Sequence, residues 1–250
     1  MVLSCGGTTL NMKNNNKWIA IISVILGIIF PFIIFVTAVE GAVFDKTFFM
    51  QQMQANDVVE NTGIYPDDMK LVVDEILSFL KGDRADFDIQ ARLTQKNPQQ
   101  ELAYVSIFNE KEITHMVDVR NLFQFFLALR DIALAAALIL FVVLLEKDPA
   151  AIIKSFFYGS AIYLGIFIII GGCFIFNFDA SFTLFHQLFF SNNLWLMDPA
   201  TDRIIWIVPE PFFFNLISRM VIYTLVPLGV TTVMTGTVLY WKRNKNRLYL

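Results

Sequence analysis

Four long apolar runs, at residues 18–39, 119–145, 152–176 and 216–241, alternate with segments too polar to lie in hydrocarbon. Each run is long enough to cross a bilayer as a helix, since about 20 residues rising roughly 1.5 Å each match a core ~30 Å thick. Pro31 in the first is a kink that a membrane helix tolerates. That run also exceeds the apolar region of a cleavable signal, although small residues follow it near Gly41, so it reads as an anchor. The pattern predicts an all-α polytopic membrane protein with four transmembrane helices. Residues 40–118 and 177–215 are its two large polar connections, 146–151 a short charged turn, and 1–17 and 242–250 its tails.

The first polar connection predicts a mainly helical cap. Residues 66–81 carry Pro66, Asp67 and Asp68 at the start, then Met69, Val72, Val73, Ile76, Leu77 and Leu80 at three- and four-residue steps, then Gly82. That is an amphipathic helix with an acidic N-terminus and a glycine stop. Residues 94–100 read as a loop and 102–108 as a short strand. Asn109 with Glu112 three residues on fits an N-terminal capping box, and no breaker follows before residue 145. The resulting helix enters the membrane near Asn121 with His115 roughly two turns above, and His115, Asp118, Val119 and Leu122 share a face. In the second connection, residues 182–190 suit a helix lying in the membrane interface, ended by Asn192 and Asn193. Residues 194–197 and 203–208 predict a small hairpin-like loop around a DPATD turn in which Asp198 and Asp202 serve turn geometry. Gly159, Gly165, Gly171 and Gly172 offer close helix approach, and the tail before residue 18, where Met12 is a second possible start, is low in structure signals.

Composition agrees: 56% of the 250 residues are hydrophobic and 26 are Phe, which excludes an ordinary soluble domain. The net charge of -3 conceals a segregation of sign. Lys13, Lys17, Lys147, Lys154, Lys242, Arg243, Lys245 and Arg247 flank one set of span ends, whereas residues 177–215 hold only Arg203. By the positive-inside rule both termini are cytoplasmic and both large connections extracytoplasmic; the lysines of the long first connection count little. Cys5 and Cys173 fall at different depths, so neither a disulfide nor a redox motif is implied. No repeat, phosphate loop or nucleophilic Ser or Cys setting occurs, and no nucleic-acid partner is expected.

The candidate chemistry is sparse. His115 and His186 are the only two histidines, and both sit at the same predicted interface. An imidazole pair can act as base and acid in one acyl transfer, or each can simply be a polar interfacial residue satisfied by headgroups and water. A catalytic zinc needs three protein ligands and H-E-x-x-H is absent, so no metal is expected. Asp118 either orients an imidazole or solvates the helix. Arg130 and Asp131 lie inside the second span and, as neighbours, point apart toward separate partners, either locking the bundle or meeting substrate. Arg219 is an anchor for headgroups or merely snorkels, and Trp195 and Trp206 read as interface aromatics.

E-x-x-H-x-x-D-V at Glu112, His115, Asp118 and Val119, F-H-x-x-F-F at 185–190, W-x-x-D-P-x-T-D-R-I-I at 195–205 and P-E-x-F-F at 209–213 together resemble the lipoprotein intramolecular transacylases, four-helix membrane proteins of low-GC Gram-positive bacteria. The resemblance covers most of residues 18–241 and is loosest in the first polar connection. It implies transfer of the sn-2 acyl chain of a diacylglyceryl-cysteine lipoprotein to the α-amino group of the same cysteine, giving the lyso form, in the bacterial cell membrane. It places the two essential histidines on His115 and His186 and requires no cofactor. The substrate then brings its own nucleophile, an amine of pKa about 8 that a neutral imidazole can deprotonate. His115 as base steadied by Asp118, with His186 as acid, is one assignment; the reverse is equally compatible. Asn193, Arg120 or backbone groups near His186 are candidate oxyanion donors, and Trp195, Asp198, Asp202, Arg130 and Arg219 are candidate supporting residues. Two rival readings remain. A non-enzymatic sensor or assembly protein would not need the histidines, and a lipid hydrolase or an acyltransferase with an external donor would release fatty acid or consume phospholipid.

Overall fold

The structure of the chain, a computed structural model, describes residues 7–94 and 103–247. Its order is α1 Gly7–Val43, α2 Lys46–Ala55, α3 Val58–Thr62, α4 Met69–Lys81, β1 Gln90–Arg92, β2 Tyr104–Ser106, α5 Glu110–Lys147, α6 Pro149–Phe176, α7 Phe178–Phe189, α8 Ile204–Ile207 and α9 Glu210–Arg247. Helices α1, α5, α6 and α9 contain the four apolar runs and are long and apolar enough to cross a membrane. Their outward faces are apolar too: Ile132 is 67% exposed, Val233 69% and Trp241 72%, an arrangement suited to lipid rather than water. The protein is thus a helical, multi-pass membrane protein.

The chain divides into two compact units. One comprises the described residues of Met1–Val39, Leu129–Ile170 and Val221–Leu250. Leu26, Leu144, Ala151 and Ile152 form its buried cluster, and Phe30 and Phe156 meet at a tilt with ring centroids 4.3 Å apart. Small residues set the closest approach: a Cβ added at Gly159 would lie 2.0 Å from the carbonyl oxygen of Gly27. Gly165 and Gly172 do not share this role, since a Cβ on either would meet nothing within 4 Å. Arg130 and Asp131, expected to diverge, pair with each other at 2.9 Å, Arg130 Nε donating to Asp131 Oδ1, and Arg130 is engaged beyond this pair as well. The arginine side chain is long enough to bend back along the helix surface to its neighbour, and pairing lowers the charge cost in apolar surroundings. Helix α1 begins at Gly7, so the predicted featureless tail before residue 18 is helical over its described part.

The second unit comprises Glu40–Ala128 and Gly171–Met220. The amphipathic reading of residues 66–81 holds: a 3-10 turn over Pro66–Asp68 leads into α4, which buries Met69, Val72, Val73, Ile76, Leu77 and Leu80 and stops at Gly82 with φ 86°. Strands β1 and β2 pair antiparallel with Ala91 opposite Val105, placing Phe87 between Phe79 and Phe108 at centroid separations of 4.9 and 4.7 Å. Asp68, itself buried, receives the Arg92 guanidinium at 2.6 Å, and burial of that carboxylate is outweighed by the arginine, so its pKa falls below the ordinary range. The loop expected at 94–100 lies, beyond Thr94, outside the described residues.

One element was misread. Residues 194–197 and 203–208 do not pair as a hairpin; Arg203 leads into α8, and Ile204 and Ile207 are buried. A short apolar run carries no decisive period, and here a carboxylate from α5 captures the Ile204 amide that a ladder would have needed.

Gly159→Ala is expected to lower stability by roughly 1–3 kcal/mol through helix overpacking. Gly165→Ala, with open space around its Cβ, is expected to be neutral or slightly stabilising. Thermal unfolding of the purified variants in one detergent checks the pair, and equal midpoints would contradict the close approach.

Candidate active site

The site is built in the second unit, from the head of α5, from α7 and from the loop that follows it. The head of α5 is fixed by a reciprocal capping box: Glu112 Oε2 accepts from Asn109 N at 2.8 Å, and Asn109 Oδ1 accepts from Glu112 N at 3.0 Å. The other Glu112 oxygen accepts from Ile204 N at 2.6 Å, and the side chain is only 1% exposed. Its neighbours extend the same hold. Lys111 Nζ donates to Asp202 Oδ2 and to the Leu196 carbonyl, both at 2.6 Å, and Asn109 Nδ2 donates to Asp202 Oδ1 at 2.9 Å. Burial alone would raise the Asp202 pKa, but the lysine, the Asp198 amide, Asn109 and Thr201 together hold it well below the usual carboxylate range. Asp198 remains a turn residue, accepting from Ala200 N at 2.9 Å.

Three residues beyond Glu112, one helical turn on, stands His115. Helix α7 is capped by Asn177, which accepts from Ala180 N at 3.1 Å, and starts one turn earlier than its apolar pattern indicated. It delivers His186, and the two imidazoles meet with ring centroids 6.1 Å apart and 32° between planes. Both are buried. His186 Nδ1 lies 2.8 Å from the Phe182 carbonyl oxygen. A carbonyl only accepts, so Nδ1 carries the hydrogen and Nε2 of the neutral ring is left with its lone pair. His186 also stacks on Trp195 at 4.9 Å and lies 4.1 Å from the Phe182 ring, while Phe190 meets His115 edge-on at 5.4 Å. Burial pushes the His186 pKa below its ordinary value, overriding the opposing pull of the Phe182 carbonyl.

Among the described residues, His115 Nδ1 is buried without a hydrogen-bond partner. Asp118 does not supply one: its Oδ2 accepts from Asn192 Nδ2 at 2.8 Å, and among the described residues no hydrogen bond joins it to His115. Asn192 is a residue that sequence reasoning passed over, seen only as a helix breaker. Its Oδ1 accepts from Leu194 N at 3.1 Å, and its backbone carbonyl accepts from Trp195 Nε1 at 3.0 Å. Trp195, read from sequence as an interface aromatic, thereby becomes one wall of the histidine pair.

The remaining candidates fall outside this cluster. Arg120 donates to the carbonyls of Ala85 and Arg84 at 3.0 and 3.4 Å and covers the Phe79 ring. Arg219 donates to Asp45 Oδ2 at 2.5 Å and lies over the Phe48 ring, so it ties α9 to the start of α2. Arg130 belongs to the other unit. Asn193 is exposed at the turn. Among the described residues no group of three His, Cys, Asp or Glu side chains is placed to hold a metal ion.

Fold and site together define a polytopic helical membrane protein that holds two facing, buried imidazoles in an aromatic shell. The sequence profile of the family "Lipoprotein intramolecular transacylase Lit" matches residues 24–213, more than half of the chain. The chain belongs to that family and is an acyltransferase. Among solved structures it is similar to the in meso structure of the membrane-integral transacylase Lit from Bacillus cereus, at 22% identity and a TM-score of 0.71, covering 93% of this chain and 99% of that one. A form of the same Bacillus cereus protein with a histidine-to-arginine substitution matches at 21% identity and a TM-score of 0.69, covering 98% and 100%. A histidine-to-alanine form gives 22%, 0.70, 93% and 99%. At these identities the likeness carries the fold. No curated protein matches the chain.

Because burial depresses its pKa, His186 is expected to remain neutral as pH falls through 6.5 and to take up a proton only below that value. Imidazole nitrogen shifts of selectively labelled protein in nanodiscs check this, and a midpoint at or above 6.5 contradicts the desolvated setting.

Proposed function

We propose that this chain moves the sn-2 acyl chain of a diacylglyceryl-cysteine lipoprotein onto the α-amino group of the same N-terminal cysteine, with His115 and His186 as its proton carriers. The observation that carries the reading is the meeting of the chain's only two histidines, buried with ring centroids 6.1 Å apart, in a member of a transacylase family. The amine nitrogen attacks the sn-2 ester carbonyl, a C–N bond forms, the C–O bond to glycerol breaks, and one proton passes from nitrogen to the departing glyceryl oxygen. No enzyme nucleophile is needed, because amine and ester belong to one molecule; orientation supplies much of the acceleration.

Burial of both rings leaves them neutral at rest, so each begins as a proton acceptor. The substrate's amine has a pKa of about 8 and arrives mostly as an ammonium at neutral pH. We assign its first proton to Nε2 of His186, the atom left with a lone pair by the Phe182 hydrogen bond. The free amine then attacks, His115 takes the second proton from the nitrogen of the tetrahedral adduct, and the charged His186 returns its proton to the glyceryl oxygen. Atoms and charge balance, with one proton passing from His115 to water at the end. Trp195, held by Asn192, keeps the His186 ring in place through the cycle. Arg120 is engaged elsewhere and Asn193 is exposed outside the histidine cluster, so backbone groups near His186 are the donors we assign to the oxyanion.

The distribution of lysine and arginine supports cytoplasmic termini and a site on the extracytoplasmic face of the bacterial cell membrane, where lipoproteins carry their lipid. In a host whose lipoproteins keep two glyceryl acyl chains and a free amine, expression of the chain is expected to yield lipopeptides of unchanged total mass with one acyl chain on nitrogen. His115→Ala and His186→Ala are each expected to cut that conversion by about 10²–10⁴-fold. Fragment-ion mass spectrometry reads the outcome. Full conversion by both variants, inserted at normal levels, rules out the two-histidine mechanism, and release of free fatty acid would identify a hydrolase instead.

A further inference from the structure

We propose that Asp118 is the docking point for the positive charge of the substrate's α-ammonium group, which makes it the residue that tells unreacted substrate from product. The inference rests on the lipoprotein reading above and gives that site a charge-recognition element. It starts from two groups one helical turn apart on α5, a buried imidazole nitrogen and a half-buried carboxylate oxygen. Asp118 Oδ2 is held by Asn192 Nδ2 at 2.8 Å, while among the described residues Oδ1 accepts no hydrogen bond and no lysine or arginine pairs with the carboxylate. His115 Nδ1 is buried with no partner, in a residue only 8% exposed. Residues three apart on a helix are neighbours, so one small group can reach both.

The two groups ask for the same chemistry. A half-buried carboxylate without a cation favours a positive partner, and in the tautomer that carries its hydrogen on Nε2, the one the proposal requires, His115 Nδ1 favours an N–H. A primary ammonium offers three N–H donors and a charge, so it can satisfy Asp118 Oδ1 and His115 Nδ1 together; a hydroxyl or the secondary amide of the product has one donor and satisfies one at most. Asn192 explains why the carboxylate waits in place rather than bonding His115. Its amide is committed at both ends, to Asp118 and to Leu194 N, and its carbonyl to Trp195, so Asp118 is set relative to both imidazoles. Once the nitrogen is acylated it is a neutral amide, the charge pair with Asp118 is lost, and the product leaves more readily than the substrate.

The test uses the full chain in nanodiscs and a diacylglyceryl-cysteinyl lipopeptide whose sn-2 ester is replaced by an ether, so that it cannot react, alongside its N-acetyl derivative. At pH 6.5 the wild-type protein is expected to bind the free-amine lipopeptide about 10–100-fold more tightly than the acetylated one, the range of a charge-assisted hydrogen bond. Asp118→Asn is expected to abolish that ratio while leaving the affinity for the acetylated form unchanged, a selectivity that a merely structural role would not move. In the wild-type protein alone, the ratio is expected to shrink as pH rises past the amine's pKa, which keeps the proposal testable if the variant does not fold. Equal wild-type affinities at pH 6.5, or a ratio that survives Asp118→Asn, overturn the assignment of Asp118 alone. Binding of neither lipopeptide overturns the lipoprotein reading and this assignment with it.

Discussion

The carboxylate of Glu112 is the interaction on which the site depends. One oxygen closes the first turn of α5 on the Asn109 amide and the other takes the Ile204 amide, 92 residues further along the chain. A carboxylate that is 1% exposed survives only if its lone pairs are met, and charge-assisted bonds to backbone N–H groups meet them. Because the same side chain serves a helix start and a distant loop, the beginning of α5 and the beginning of α8 cannot shift independently. Lys111 and Asp202 lie beside it and make the second tie, so the loop after α7 is fastened to the helix that carries His115 within one turn of that histidine. The spacing between the imidazoles follows from those ties rather than from any bond between the rings themselves.

Much of this is legible in the chain itself. The α4 stripe and its glycine stop, the Asn109–Glu112 box, the apolar pattern around His186 and the four spans are local or periodic features, and such features leave their mark in spacing. The same locality explains what was not visible. The capping box announced one oxygen of Glu112, but nothing in the spacing announced the partner of the other. Asn192 looked like a helix breaker and Asp202 like a turn residue, since bonds to Asp118, Lys111 and Asn109 span 74 to 93 residues and impose no period. The hairpin misreading has the same origin: residues 203–208 have the composition of a strand, and a distant carboxylate decides that Ile204 begins a helical turn instead. For Arg130 and Asp131, the expectation that neighbours diverge held for their Cβ directions and failed for the tip of the flexible arginine side chain.

The chemistry of the site follows from what the aromatic shell does to two imidazoles. Phe182, Phe190 and Trp195 remove water from around the rings, which disfavours the charged form and leaves two neutral bases where free histidines would be partly protonated near pH 6.5. Neutral rings suit a reaction whose first requirement is to strip a proton from an amine. They also allow the acid to be made during the cycle from the substrate's own proton, so that no resting charge has to be stabilised in a dry pocket. The Phe182 carbonyl contributes by fixing which nitrogen of His186 is free, a selection that costs nothing extra because the carbonyl lies on the preceding turn of the same helix.

Within the site, His115 Nδ1 is a buried polar atom that no described residue satisfies. A buried nitrogen without a partner costs about 1–3 kcal/mol, and a protein that held His115 only for stability would have lost nothing by placing Asp118 against it. The geometry does the opposite. Asp118, one turn away on the same face, is drawn off by Asn192, and Asn192 is itself held by the loop whose position Glu112 and Lys111 determine. The same ties that bring His115 and His186 together therefore also keep His115 Nδ1 and one oxygen of Asp118 open. A scaffold that spends its hydrogen bonds on preventing two side chains from satisfying each other is arranged for a third group that satisfies both.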